Sequence, residues 1–140
     1  MGDIHDIKLT HLKGMSFSCS QNGHTIIVDA AEEFGGTNAG VRPKALVLSA
    51  LAGCTAMDVV SLLNKMHAAF DSLSIEVSGE LTEEHPKIYH KVHAKYIIHL
   101  TDDADKEKMV KAVDLSQTKY CGVAAMIRSF AQLTYSIEYI

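Results

Sequence analysis

Between Lys44 and Asp58 the chain runs for thirteen residues, ALVLSALAGCTAM, without a single charge. Pro43 stands just before this stretch, at a position that suits the first turn of a helix, where a missing N–H costs nothing. The pattern predicts a helix from about Pro43 to His67. Its first half is apolar on nearly every side. Its second half sets Val59, Leu62, Leu63 and Met66 against Asn64 and Lys65. A helix apolar all round must be enclosed by protein. Short strands in a 140-residue chain can hardly surround it, which points to a partner subunit. The uncharged run is too short to cross a bilayer, which takes about 20 residues.

The segments on either side read as strands and shorter helices. Ile4 to Leu12 alternates loosely, with Ile7, Leu9 and His11 on one side. Met15 to Ser20 and His24 to Ala30 flank Asn22-Gly23, a pair suited to the left-handed backbone of a two-residue hairpin turn. A glycine-rich loop, FGGTNAG, leads into the long helix. Leu73 to Leu81 and Ile88 to Leu100 form a second hairpin around TEEHPK. Thr101 or Asp102 caps a second helix that ends near Leu115, with Asp103 and Asp105 at its positive end. A third helix begins near Cys121 and runs to about Phe130, and LTYSIEYI closes the chain as a strand. The order βββ-α-ββ-αα-β is an α+β pattern, and one domain spanning residues 1–140 is expected.

Charge and cysteine usage narrow the function classes. A formal net charge of −4 argues against a nucleic-acid or anionic-membrane surface, which would need a basic excess. The opening MGDIHDIKLT has acids and no apolar core, so export is not expected. Asp6 stands where a myristoylation site prefers Ser or Thr. Three scattered cysteines do not make a disulfide framework, and reduced thiols in the cytoplasm are the expectation.

The chemistry-bearing residues are few. Cys54 lies mid-helix and Asp58 one turn further along on the same face. Cys121 sits at an expected helix start, where free N–H groups lower a thiol's pKa while burial raises it. On those local grounds Cys121 is the more reactive of the two. Cys19, on a strand, reads as structural. Of the eight histidines, His85, His90, His93 and His99 gather around one hairpin without the spacing of a zinc motif. Strict alternation puts His93 and His99 on one strand face and His90 on the other. No metal site is expected there. The segment GGTNAG lacks the Lys-Ser/Thr of a phosphate loop and gives the loop freedom to reach across a dimer or cover a site.

Two segments, RPKALVLSALAGCTAMDVVSLLNKM and AVDLSQTKYCGVAAMI, separated by a strand hairpin, resemble the OsmC/Ohr family of peroxide-detoxifying proteins. The likeness covers most of the chain. It implies an intertwined homodimer with long helices packed centrally between two sheets and sites at the subunit interface. It implies thiol-dependent reduction of an organic hydroperoxide, with Cys54 oxidised to a sulfenic acid and Cys121 condensing with it to a disulfide that a dithiol reductant reopens. It implies no metal, flavin or haem cofactor. Better-known members pair an arginine from an N-terminal loop or strand with a glutamate near the start of the central helix. Here Lys44 stands at the glutamate's position, and the only arginines are Arg42 and Arg128. Arg42 or Lys44 is then the candidate thiolate-stabilising cation. Asp58 is the candidate orienting group, holding Arg42, Lys44 or Arg128. The alternative reading is a binding protein or redox switch on the same fold, holding a small apolar ligand at the dimer interface with little or no turnover.

Overall fold

The computed structural model describes residues 2–140. Its elements follow the expected order, and the fold is α+β with two three-stranded sheets. By contacts the chain divides into two compact units, Met1–Val47 and Leu48–Ile140.

The N-terminal unit is an antiparallel meander of β1 (Ile7–Lys13), β2 (Ser16–Gln21) and β3 (His24–Val28). Asn22 and Gly23 both take positive φ, 51° and 78°, and join β2 to β3 as the sequence implies. The unit is thinly covered: every residue of β1 is exposed, including Ile7 and Leu9. Beyond β3 the glycine-rich loop is ordered, not free. Asp29 is buried, and its carboxylate accepts hydrogen bonds from the backbone N–H of Ala30, Thr37 and Ala39 and from the Thr37 hydroxyl. Those donors pull its pKa down to about 2, against the opposing pull of burial, with the Ala39 N–H contributing most. Gly36 is needed because a Cβ there would lie 1.9 Å from the Ala30 carbonyl oxygen.

The long helix, α1, spans Leu46–Lys65. Pro43 and Lys44 form a turn ahead of it, with Leu46 N–H donating to Pro43 O and Val47 N–H to Lys44 O. At its other end Ala68 N–H bonds Leu63 O and His67 adopts φ 56°, a left-handed closure that stops the helix two residues before His67. By length and composition α1 would reach across a bilayer. Instead Leu51, Thr55, Val59 and Leu63, spaced four apart, are wholly buried against protein. Leu48 and Leu62 are half-buried against the same cores, while Val47 and Met57 stay open in the single chain, Met57 at 76% exposure.

In the C-terminal unit β4 (Phe70–Leu81) pairs antiparallel with β5 (Tyr89–Leu100), which pairs in parallel with β6 (Gln132–Tyr139). A parallel pair needs a crossover, supplied here by α2 (Lys106–Leu115), a π-helical turn (Ser116–Tyr120) and α3 (Gly122–Arg128). Asp102 does cap, accepting from Ala104 N–H at 2.9 Å, but the turn it opens is a 3₁₀ turn just before α2. The inner face of the sheet presents Ala94, Tyr96, Ile98 and Leu100 to Val59 and Leu63 of α1 and to Met109, Ala112 and Val113 of α2.

One strand expectation fails locally. Glu80 pairs with Lys91 while Leu81 pairs with Tyr89, so His90 is an extra residue in a β-bulge. The bulge interrupts strict alternation and leaves His90 beside Glu80, with Nε2 2.7 Å from Oε2. The neighbouring histidines are also in polar pairs. His93 meets Thr134 and Ser136, and His99 meets Asp71.

Candidate functional site

Cys54 and Asp58 project from α1 one turn apart, and Cys121 comes to them from the N-cap of α3. The two sulfurs and a carboxylate oxygen of Asp58 all lie within 4.8 Å of one another. Residues separated by two strands and a helix in sequence thus meet in one place. Cys121 is buried, while Cys54 and Asp58 keep partial access to solvent.

The π-helical turn sets this geometry. Cys121 N–H donates to Ser116 O at 2.8 Å, closing a wider loop than an α-helical turn would. Ser116 and Gln117 are turned inward and fully buried. Ser116 Oγ–H then donates to Asp58 Oδ2 at 2.9 Å.

That bond is the end of a longer chain. Arg128 donates to Gln117 Oε1 at 3.0 Å, and Gln117 Nε2–H donates to the Tyr96 hydroxyl at 2.7 Å. The Tyr96 hydroxyl lies 2.6 Å from Thr55 Oγ1, which lies 2.7 Å from Ser116 Oγ. Each hydroxyl has one proton. Since Ser116 spends its proton on Asp58, Thr55 must donate to Ser116 and Tyr96 to Thr55. All the dipoles point the same way, toward the carboxylate. Burial raises the Tyr96 phenol pKa, which keeps it a neutral donor.

The electrostatics at the thiols differ from the local expectation. Cys121 Sγ does accept a helix-start N–H, from Ala124 at 3.3 Å. Burial outweighs it, and the adjoining Cys54 thiol adds to the effect, so the Cys121 pKa rises to about 11. The negative charge of Asp58 works in the same direction. Position at a helix N-terminus therefore does not make Cys121 the reactive thiol; desolvation wins.

Two of the candidate cations, Arg42 and Arg128, hold hydrogen bonds of their own. Arg128 is engaged with Gln117, and Asp58 takes its hydrogen bond from a serine hydroxyl rather than a guanidinium. Arg42 and Lys44 belong to the N-terminal unit. There Arg42 donates to the carbonyl oxygens of Asp29 and Gly40 and to Asn38 Oδ1, which secures its own loop. Cys19 lies on β2 opposite Leu9 and Ile26.

Thr55, Tyr96, Ser116 and Gln117 were not singled out from sequence. The available signal was weak: polar residues at Thr55 within an uncharged apolar helix and at Ser116-Gln117 just ahead of KYC.

Comparison with known proteins bears on the family and the fold. The family model described as OsmC-like protein matches residues 36–136, a span holding both Cys54 and Cys121. Protein YhfA of Escherichia coli is 32% identical over 133 residues, covering 92% of this chain and 93% of that protein. The structure of an OsmC-like protein from Mycoplasma pneumoniae superposes with a TM-score of 0.84 at 16% identity, covering 100% of this chain and 99% of that one. A Legionella pneumophila structure described as an organic hydroperoxide resistance protein OsmC superposes with a TM-score of 0.65 at 16% identity, covering 97% of each chain. With the family model running through both cysteine segments and the fold matched from end to end, this chain belongs to the OsmC-like family.

Proposed function

We propose that this chain is a thiol-dependent peroxidase for organic hydroperoxides, working in the cytoplasm as a homodimer of one OsmC-like domain. The observation that carries the reading is the meeting of Cys54, Cys121 and Asp58 within 4.8 Å. The organic hydroperoxide resistance named for the Legionella neighbour supports the substrate class.

In this reading the Cys54 thiolate attacks the distal oxygen of the hydroperoxide. The O–O bond breaks, an alcohol departs with one proton, and Cys54 is left as a sulfenic acid. Cys121 sulfur then attacks the Cys54 sulfur, the S–O bond breaks, and hydroxide leaves as water with the Cys121 proton. The sulfurs must close from at most 4.8 Å to the disulfide length of about 2.05 Å. A dithiol restores both thiols and leaves as its own disulfide. Cys54 suits the attacking role because it is the more accessible sulfur. Cys121, held as a thiol by burial, suits resolution, after the first oxidation. Arg42 and Lys44 remain the proposed sources of positive charge for the Cys54 thiolate.

Turnover with cumene hydroperoxide and a dithiol tests the reading. Peroxide loss is expected for the native chain and not for Cys54→Ser. Turnover unaffected by Cys54→Ser contradicts it.

A second reading is a binding protein or slow redox switch for a small apolar ligand. The observation in its favour is electrostatic: the charged group beside the two thiols is a carboxylate, which opposes thiolate formation. Native protein that binds an apolar probe but shows no peroxide turnover would select it.

A further inference from the structure

We propose that the reduced chain holds a thiophilic divalent metal ion, of which Zn²⁺ is the type, on Cys54 Sγ, Cys121 Sγ and a carboxylate oxygen of Asp58. Four-coordinate zinc with thiolates at about 2.3 Å sets its sulfurs about 3.8 Å apart. The three ligand atoms here already stand within 4.8 Å of one another, so small side-chain adjustments bring them onto one ion. Two soft sulfurs and one carboxylate favour zinc or a similar ion over magnesium or calcium, which take oxygen ligands. Three protein ligands leave a fourth position for water or an incoming thiol, the pattern of an open zinc site.

The surroundings of the ligands are what separate this trio from a chance approach. Metal ligands are oriented by hydrogen bonds from behind. Ser116 Oγ–H, at the end of the directed chain from Gln117, holds Asp58 Oδ2 and so fixes the orientation of the carboxylate. Ala124 N–H holds Cys121 Sγ. Cys54 and Asp58 share one helix face at a spacing of four residues, a fixed two-ligand edge that Cys121 completes from α3. The proposal does not depend on the peroxidase reading. If both hold, occupancy ties up both sulfurs, so metal-loaded protein resists hydroperoxide until the ion is removed.

The test uses full-length reduced protein, stripped with a chelator and kept free of peroxide. Zn²⁺ is titrated against a chromophoric chelator, and Co²⁺ is followed by absorption. One ion per chain is expected, with a thiolate-to-cobalt charge-transfer band and the visible bands of a four-coordinate ion. Cys54→Ser and Cys121→Ser each abolish the charge-transfer intensity of a two-thiolate site. Ser116→Ala, which touches no ligand sulfur, weakens binding by about 10–100-fold. Maleimide labelling supplies a second readout: Zn²⁺ protects the more accessible Cys54 but leaves Cys19 reactive, whether or not a serine variant folds well. Absence of the charge-transfer band in native protein overturns the proposal. So does Zn²⁺ affinity that survives in Cys54→Ser/Cys121→Ser, which places the ion on histidines. Because no hydroperoxide is present, neither result bears on turnover, and loss of turnover alone leaves the metal site standing.

Discussion

At Cys121 two local influences oppose each other, and their balance decides the chemistry. The Ala124 N–H at the start of α3 favours the thiolate, as helix position suggests from sequence. Burial and the neighbouring Cys54 favour the thiol and prevail, lifting the pKa from 9.0 to about 11. The consequence for stability has a definite sign. Between those two values the folded chain holds a proton that the unfolded chain has lost, so stability falls as pH rises through that window. In metal-free reduced protein, alkylation of Cys121 should be slow at neutral pH and continue to accelerate toward pH about 11. Mass mapping of iodoacetamide adducts against pH measures this. A Cys121 rate that levels off below about pH 9, the ordinary thiol range, would contradict the burial argument. The types and spacing of the two cysteines were legible in the sequence. Their relative desolvation was not, because it depends on residues packed around Cys121 from α1, β4, β5 and β6.

At the level of elements, the sequence reveals periodicity well and interruptions poorly. Asn22-Gly23 gives its turn, and the strict alternation of Leu73 to Leu81 gives β4, because both are local consequences of backbone sterics. The bulge at His90 and the π-helical turn at Ser116–Tyr120 are different. Each inserts a residue into a regular ladder, and tertiary contacts decide where. The π turn matters most, since it brings Ser116 and Gln117 inward to complete the hydrogen-bonded chain through Thr55 and Tyr96. That chain is buried, so breaking it leaves polar groups without water. Replacing Thr55 with Val, nearly the same shape, should destabilise the fold by about 1–3 kcal/mol. Denaturant unfolding measures it. The double variant with Tyr96→Phe should cost less than the sum of the two single changes, since they share one bond. Additive losses would mean the hydroxyls act independently.

At the level of the whole molecule, α1 is too apolar to stand in water. Within the single chain α1 buries one stripe, Leu51, Thr55, Val59 and Leu63, and leaves other apolar positions open, Met57 above all. The N-terminal sheet likewise leaves Ile7 and Leu9 uncovered. The sequence foretold the shortage of cover correctly, because it counts apolar residues against a small chain. It could not say which face stays open, since that depends on where the second sheet's inner face lies. The proposed homodimer predicts that Met57→Glu, at a position 76% exposed in one chain, shifts the protein from dimer to monomer in sedimentation equilibrium. A native protein that sediments as a monomer, or a variant that stays dimeric with unchanged affinity, would count against α1 as the interface. That Cys54 and Cys121 act as one redox pair can be tested covalently. Reduced, metal-free protein is treated with one equivalent of cumene hydroperoxide, digested without reduction and mapped by mass spectrometry. A peptide pair joined through Cys54 and Cys121 is expected, with Cys19 still a free thiol. Cys121 recovered as a free thiol beside an over-oxidised Cys54, or a disulfide that includes Cys19 instead, would contradict it.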